Sequence, residues 1–209
     1  MDKKIKIALW AAISVILVIF IAFLSRYFYM HHRVNPGMAG LSKFNVGVLY
    51  CSHNDEIPTL IDMIKKRIKV KTFEIIPLKP YPKDSAAFKE RLHSDNADIG
   101  KVTYFDPGID ISKFGYIIVG TSVMEDRPCP ALQKYLVDHQ KEFEGIPISV
   151  LVLYKKGEIP ANTVLFLKRK LYAGYWKPPF VTTIKNKKQL NDEFDLWFNE
   201  MQFERQELK

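Results

Sequence analysis

Ile146 to Tyr154 (IPISVLVLY) is apolar at almost every position, and this run most limits what the chain can fold into. A strand with one face in water alternates apolar and polar residues. A strand that is apolar throughout has to be covered on both faces. Tyr116 to Gly120 (YIIVG) and Phe44 to Tyr50 (FNVGVLY) repeat the pattern, and Lys71 to Leu78 and Phe180 to Ile184 supply two further strand-like runs. Between them lie stretches with helical spacing: Ile57, Leu60, Ile61, Ile64 and Ile68; a short one over Ala86–Leu92; Leu132, Tyr135, Leu136 and Phe143; one around Thr163–Leu171; and Leu190, Phe194, Trp197, Phe198 and Met201. Five strands alternating with helices predict an α/β domain built on a doubly wound five-stranded parallel sheet. Its ligand is expected beyond the C-terminal ends of the strands.

A second feature precedes this domain. Ile7 to Leu24 (IALWAAISVILVIFIAFL) has no charged residue, and Ser14 is its one polar side chain. As a helix it is about 27 Å long, enough to cross the core of a bilayer. Trp10 stands near one end and Tyr27, Phe28 and Tyr29 near the other, as in interfacial aromatic belts. No small-x-small cleavage site follows Leu24 at the right distance, so the reading is an uncleaved transmembrane helix over about residues 7–25. The expected organisation is an anchor at 1–33, a linker at 34–43, a folded domain at 44–203 and a short tail at 204–209.

Charge bears on both orientation and partners. The formal net charge is +8, but half of it lies in residues 1–33, where Lys3, Lys4, Lys6, Arg26 and Arg33 oppose Asp2. The remaining +4 is ordinary for a domain of this size, so a nucleic-acid partner is not expected. The three lysines before the apolar run favour a cytoplasmic N-terminus, with the domain on the extracytoplasmic side. The expected partners are the lipid bilayer and a membrane-associated protein.

The sequence resembles the flavodoxin-like proteins, in particular a subgroup of short flavodoxins with a Lys-Pro-Tyr-Pro segment. Lys79-Pro80-Tyr81-Pro82 follows the second strand, and Ile109 to Gly120 matches the approach to the third. The resemblance covers roughly residues 44–203 and implies the strand order 2-1-3-4-5. It also implies FMN, held by three loops at the strand ends. In such proteins a Ser-x-Thr-Gly-x-Thr loop holds the phosphate at a helix N-terminus. The equivalent here is Ser52, His53, Asn54, Asp55, Glu56 and Ile57, where only Ser52 matches and two carboxylates enter. The second loop, Thr121, Ser122, Val123 and Met124 followed by Glu125 to Pro130, lacks the ring that stacks on the flavin. The third, Lys155 to Pro160, lacks the Gly- and Ser-rich pattern.

These departures lead to an expectation of a membrane-anchored flavodoxin-like domain with a degenerate flavin site, acting as a binding or assembly module. The alternative is an FMN electron-transfer protein or quinone-type reductase tethered to the membrane. Cys51 ends the first strand and Cys129 begins the helix after the third. In a 2-1-3-4-5 sheet these ends are neighbours, which makes a disulfide or a redox-active dithiol one reading and two unrelated buried residues the other. No His-Glu-x-x-His or Cys-x-x-Cys spacing occurs, so no metal is expected. The basic clusters Lys65–Arg67, Lys168–Lys170 and Lys185–Lys188 read as solvated faces.

Overall fold

The computed structural model describes residues 45–52, 56–155, 157–183 and 187–203. The predicted anchor, the linker and the tail at 204–209 lie outside these residues. Among the described residues no helix is long and apolar enough to cross a membrane.

The central layer is a parallel sheet. Strand β1 (Val46–Cys51) pairs on one side with β2 (Val70–Glu74) and on the other with β5 (Tyr116–Met124). β5 in turn pairs with β7 (Pro147–Tyr154), parallel throughout. Beyond β7 come β8 (Tyr175–Trp176) and β9 (Phe180–Thr183), which pair with its first and second halves. The expected order 2-1-3-4-5 thus describes the long strands, but the fifth is split in two. The interruption falls at Pro178 and Pro179, which have no N–H to donate to a ladder. Ser149 Oγ donates to Pro178 O instead, at 2.7 Å.

Helices cover both faces because the buried strands alternate their apolar side chains across the sheet. Leu49, Ile117, Val119, Val150 and Val152 join one core with Leu132, Leu136, Phe143 and Leu167. These last come from α3 (Pro130–Asp138), the 3-10 turn Gln140–Phe143 and α4 (Pro160–Lys170). Val48, Ile118, Leu151 and Leu153 join the other, with Leu60, Ile64, Phe194 and Trp197 of α1 (Glu56–Lys65) and α5 (Lys187–Phe203). All nine residues of β5 are buried, as a central strand clad on both sides requires.

Three departures from the sequence reading shape the upper end of the sheet. The run Lys71–Leu78 is two strands, since β3 (Ile76–Pro77) leaves the sheet to form an antiparallel ribbon with β4 (Tyr104–Phe105). The third strand does not stop at Gly120 but continues to Met124, then turns back into β6 (Arg127–Pro128), antiparallel to it. With β6, β8 and β9 the sheet has seven strands rather than five. The short helix expected over 86–92 is α2 (Ser85–Ala97), which begins where the Asp84 carboxylate accepts from Ala86 N and Ala87 N at 3.0 and 2.9 Å. Only Leu92 and Asn96 of α2 are buried. It lies over the strand ends more as a cover than as a core helix.

Candidate functional site

A half-open cavity of about 610 Å³ lies at the C-terminal ends of β5 and β7, within the volume range of small-molecule sites. Its floor is Ser122, Val123 and Met124 of β5 with Leu153 and Tyr154 of β7. Tyr81, Phe88 and Leu92 wall it from the Lys-Pro-Tyr-Pro segment and α2, and Glu56 reaches it from the first turn of α1. Lys83, Lys89 and Lys155 line it together with Glu125 and Glu158.

The residues read as FMN-loop equivalents separate into groups. His53, Asn54 and Asp55 lie outside the described residues. Ser52 is half-buried at the end of β1. Ile57 is fully buried, with Cγ2 3.4 Å from where a Cβ on Gly120 would stand; it belongs to the core. Thr121 is also fully buried, and its hydroxyl accepts from Cys129 N at 3.0 Å and donates to Ser122 O at 3.0 Å. Neither Ile57 nor Thr121 reaches the cavity, whereas Glu56, Ser122, Val123 and Met124 line it.

Ser122 differs from the others. It is 8% exposed, and its hydroxyl has no hydrogen-bond partner. A buried hydroxyl left unpaired costs about 1–3 kcal/mol, and this oxygen is sealed from solvent although its residue borders the cavity.

The predicted second loop is a tight hairpin. Glu125 and Asp126 have φ of 52° and 59°, the positive values required at both central positions of a two-residue turn that matches strand twist. The hairpin is tied to the third loop, since Ile159 N donates to Asp126 Oδ1 at 2.6 Å. From behind, Gln133 Nε2 donates to Pro128 O and Asn96 Oδ1 at 2.6 and 2.9 Å, and Asn96 Nδ2 donates to Met124 O at 3.4 Å. Arg127 Nη1 closes the group on Asn96 O at 2.9 Å. This wall is held by buried amides, not by a mobile loop's solvated backbone.

Cys51 and Cys129 form a disulfide with Cα atoms 6.0 Å apart, so the bonded alternative is the one the structure contains. Both are at most 2% exposed, and they join the end of β1 to the start of α3 behind the cavity floor. Tyr154 lines the cavity; Trp176 does not. The aromatic wall that sequence reasoning missed is Tyr81 and Phe88, set edge to face with centroids 5.4 Å apart. The signal was present in the Lys-Pro-Tyr-Pro segment, whose Tyr81 and Pro82 both face the cavity. No group of His, Cys, Asp or Glu that could hold a metal occurs among the described residues.

No protein-family model matches the sequence, and no curated protein matches it. Solved structures do match. A protein of Bacteroides eggerthii superposes with a TM-score of 0.61 at 14% identity, over 74% of this chain and 98% of its own. A flavoprotein of Lactobacillus acidophilus, solved in complex with FMN, gives 0.57 at 14% identity, over 74% and 98%. A Fusobacterium nucleatum flavodoxin bound to flavin mononucleotide gives 0.50 at 14%, over 77% and 98%. The chain therefore has a flavodoxin-like fold.

Proposed function

We propose that this chain is a membrane-tethered ligand-binding module, and that the strand-end cavity takes a planar heterocyclic ligand of flavin size. The observation that carries this reading is the aromatic-walled cavity of about 610 Å³ itself, lined by Tyr81, Phe88 and Tyr154 at the C-terminal ends of β5 and β7. The position, beyond the C-terminal ends of parallel strands, is where open α/β sheets bind ligands.

FMN itself fits this cavity at one end only. The ring finds aromatic walls in Tyr81, Phe88 and Tyr154. At the first turn of α1, where the family's phosphate would sit, stands the Glu56 carboxylate. Two unit charges about 4 Å apart repel by about 1 kcal/mol in water and about 4 kcal/mol at an effective dielectric near 20. FMN in the pose usual for this fold is therefore disfavoured, which supports a binding module over a conventional electron carrier.

A second reading keeps FMN electron transfer at the membrane. It draws on the FMN complexes named among the structures of similar fold. Titration of the full chain in detergent with FMN, followed by flavin fluorescence, separates the two. The second reading requires tight stoichiometric binding that becomes tighter in Glu56→Gln. The first requires that Glu56→Gln change little and that Phe88→Ala, which removes part of the aromatic wall, weaken binding of whatever flavin enters by about tenfold or more.

The anchoring rests on the apolar run Ile7–Leu24, and the side of the membrane on two independent features. Lys3, Lys4 and Lys6 favour a cytoplasmic N-terminus, and the Cys51–Cys129 disulfide favours a domain in an oxidising compartment. A protease-protection assay on sealed vesicles checks this: cleavage of the domain from the cytoplasmic side would reverse the assignment.

A further inference from the structure

Six charged residues line the cavity, and they are unequally engaged. Glu158 Oε2 accepts from Lys155 N at 2.5 Å, and Glu125 Oε2 lies 3.8 Å from His93 Nδ1. Glu56 also has an interaction partner. The ammonium groups of Lys83, Lys89 and Lys155 form no ion pair among the described residues. Lys83 and Lys89 belong to one wall, bracketing the first turn of α2, and Lys155 extends from the end of β7. Three lysines and three carboxylates balance in formal charge, but they are segregated: the lysines lie with α2 and the end of β7, while Glu56 stands on the α1 wall. Asp84, next to Lys83, accepts from Ala86 N and Ala87 N through Oδ1 as the helix cap, and its charge offsets part of that of the two lysines on this wall.

We propose that the cavity has an anion subsite formed by Lys83, Lys89 and Lys155, and that it holds the phosphate or carboxylate of a planar heteroaromatic ligand on the α2 side, away from α1. The ligand's ring then lies among Phe88, Tyr81 and Tyr154. Charge-assisted contacts from two or three lysines give the anion its hold, and the aromatic wall supplies shape. This inference rests on the cavity being a ligand site, and it assigns the direction in which the ligand enters that site. It reverses the arrangement expected from the first-loop pattern, which would set the anion at the N-terminus of α1.

FMN and riboflavin differ by one phosphate, which makes them the probes. The full chain in detergent is titrated with each by flavin fluorescence, for the unaltered protein, for Lys83→Gln/Lys89→Gln and for Glu56→Gln, with circular dichroism to show that each is folded. The expected result is FMN binding tighter than riboflavin, with about tenfold loss of FMN affinity in the double lysine variant. Riboflavin should be unchanged there, and Glu56→Gln should alter neither by more than about twofold. Equal loss for both flavins, or FMN affinity indifferent to the lysines, overturns the subsite and leaves the cavity reading intact. Riboflavin binding with FMN excluded does the same. Failure of both flavins to bind overturns the subsite and the cavity reading together.

Discussion

The Tyr81 hydroxyl donates to Asp95 Oδ2 at 2.9 Å, pinning the Lys-Pro-Tyr-Pro segment to the flank of α2. Arg91 completes the clamp from the same helix. Its guanidinium donates to Lys79 O and Pro80 O at 3.1 and 3.3 Å and stands 5.2 Å from the Tyr81 ring centroid. One wall of the cavity is thus held by two side chains of α2 acting on a segment with no regular structure.

Tyr81→Phe should therefore lower stability by about 1 kcal/mol, the ordinary worth of one such bond, since the ring and its contact with Phe88 remain. Arg91→Ala should cost as much or more and should also raise protease sensitivity between Lys79 and Asp84. Urea unfolding and limited proteolysis measure the two effects. An Arg91 variant as resistant as the parent would mean that the segment is held elsewhere.

Ser122→Ala should move stability the other way. It removes a buried hydroxyl that has no partner, so the ligand-free protein should gain about 1 kcal/mol. Flavin affinity should change by no more than about twofold, since the oxygen is sealed from the cavity. Denaturation and flavin titration read the two effects, and a large loss of affinity would mean that the oxygen turns toward the ligand.

The disulfide closes a separation of 78 residues. In the chain-entropy account a loop of that length is worth about 4.5 kcal/mol, with measured values for native disulfides commonly about 2–5 kcal/mol. Cys51→Ala/Cys129→Ala should lower the unfolding free energy by an amount in that range, read from urea denaturation. Because both residues are buried, reductant should act on the parent slowly and chiefly through unfolding. Rapid reduction of the folded protein would contradict the buried placement.

Gln133 is fully buried in α3 and bonds to both Pro128 O and Asn96 Oδ1. Gln133→Leu keeps the volume but leaves those acceptors unpaired, a loss of about 1–3 kcal/mol. The hairpin at Glu125 and Asp126 should loosen with it. Faster hydrogen exchange at Met124 and Arg127 is the expected signature, and unchanged exchange there would count against the amide group as the hairpin's support.

Alkaline pH gives a separate test. Burial raises the ionisation of Tyr81 and Tyr104 well above the usual 10.0, assisted by the neighbouring Asp95 and Asp138 respectively. Burial does the same for Tyr135, assisted by Glu142 and Asp106. The fold therefore favours the neutral phenols. Their stabilising contribution is fully present below pH 10 and is lost as pH rises from there toward the raised values, because the unfolded chain ionises first. Tyrosinate absorbance from these three should appear together with unfolding, and a smooth titration of a folded protein would be inconsistent with it.

Much of the architecture was legible because burial on two faces leaves a plain mark in sequence. Ile146–Tyr154 and Tyr116–Gly120 could only be interior strands, and the spacing of Ile57, Leu60, Ile61 and Ile64 could only lay a helix against them. The apolar run Ile7–Leu24 and the divergence of the loop at Ser52 are likewise properties of the chain itself. What periodicity does not encode is where a strand stops once its apolar pattern weakens. By pattern Thr121 to Met124 belong to a loop, yet they continue β5 because Thr121 bonds to the Cys129 backbone and Pro128 lies opposite Val123. Nor could spacing bring Tyr81 and Phe88 over β5, since that juxtaposition comes from α2 crossing the strand ends. Local pattern determines which residues must leave water. Only the folded chain decides which of the remaining polar ones, Ser122 among them, end up buried without a partner, because that depends on neighbours distant in sequence.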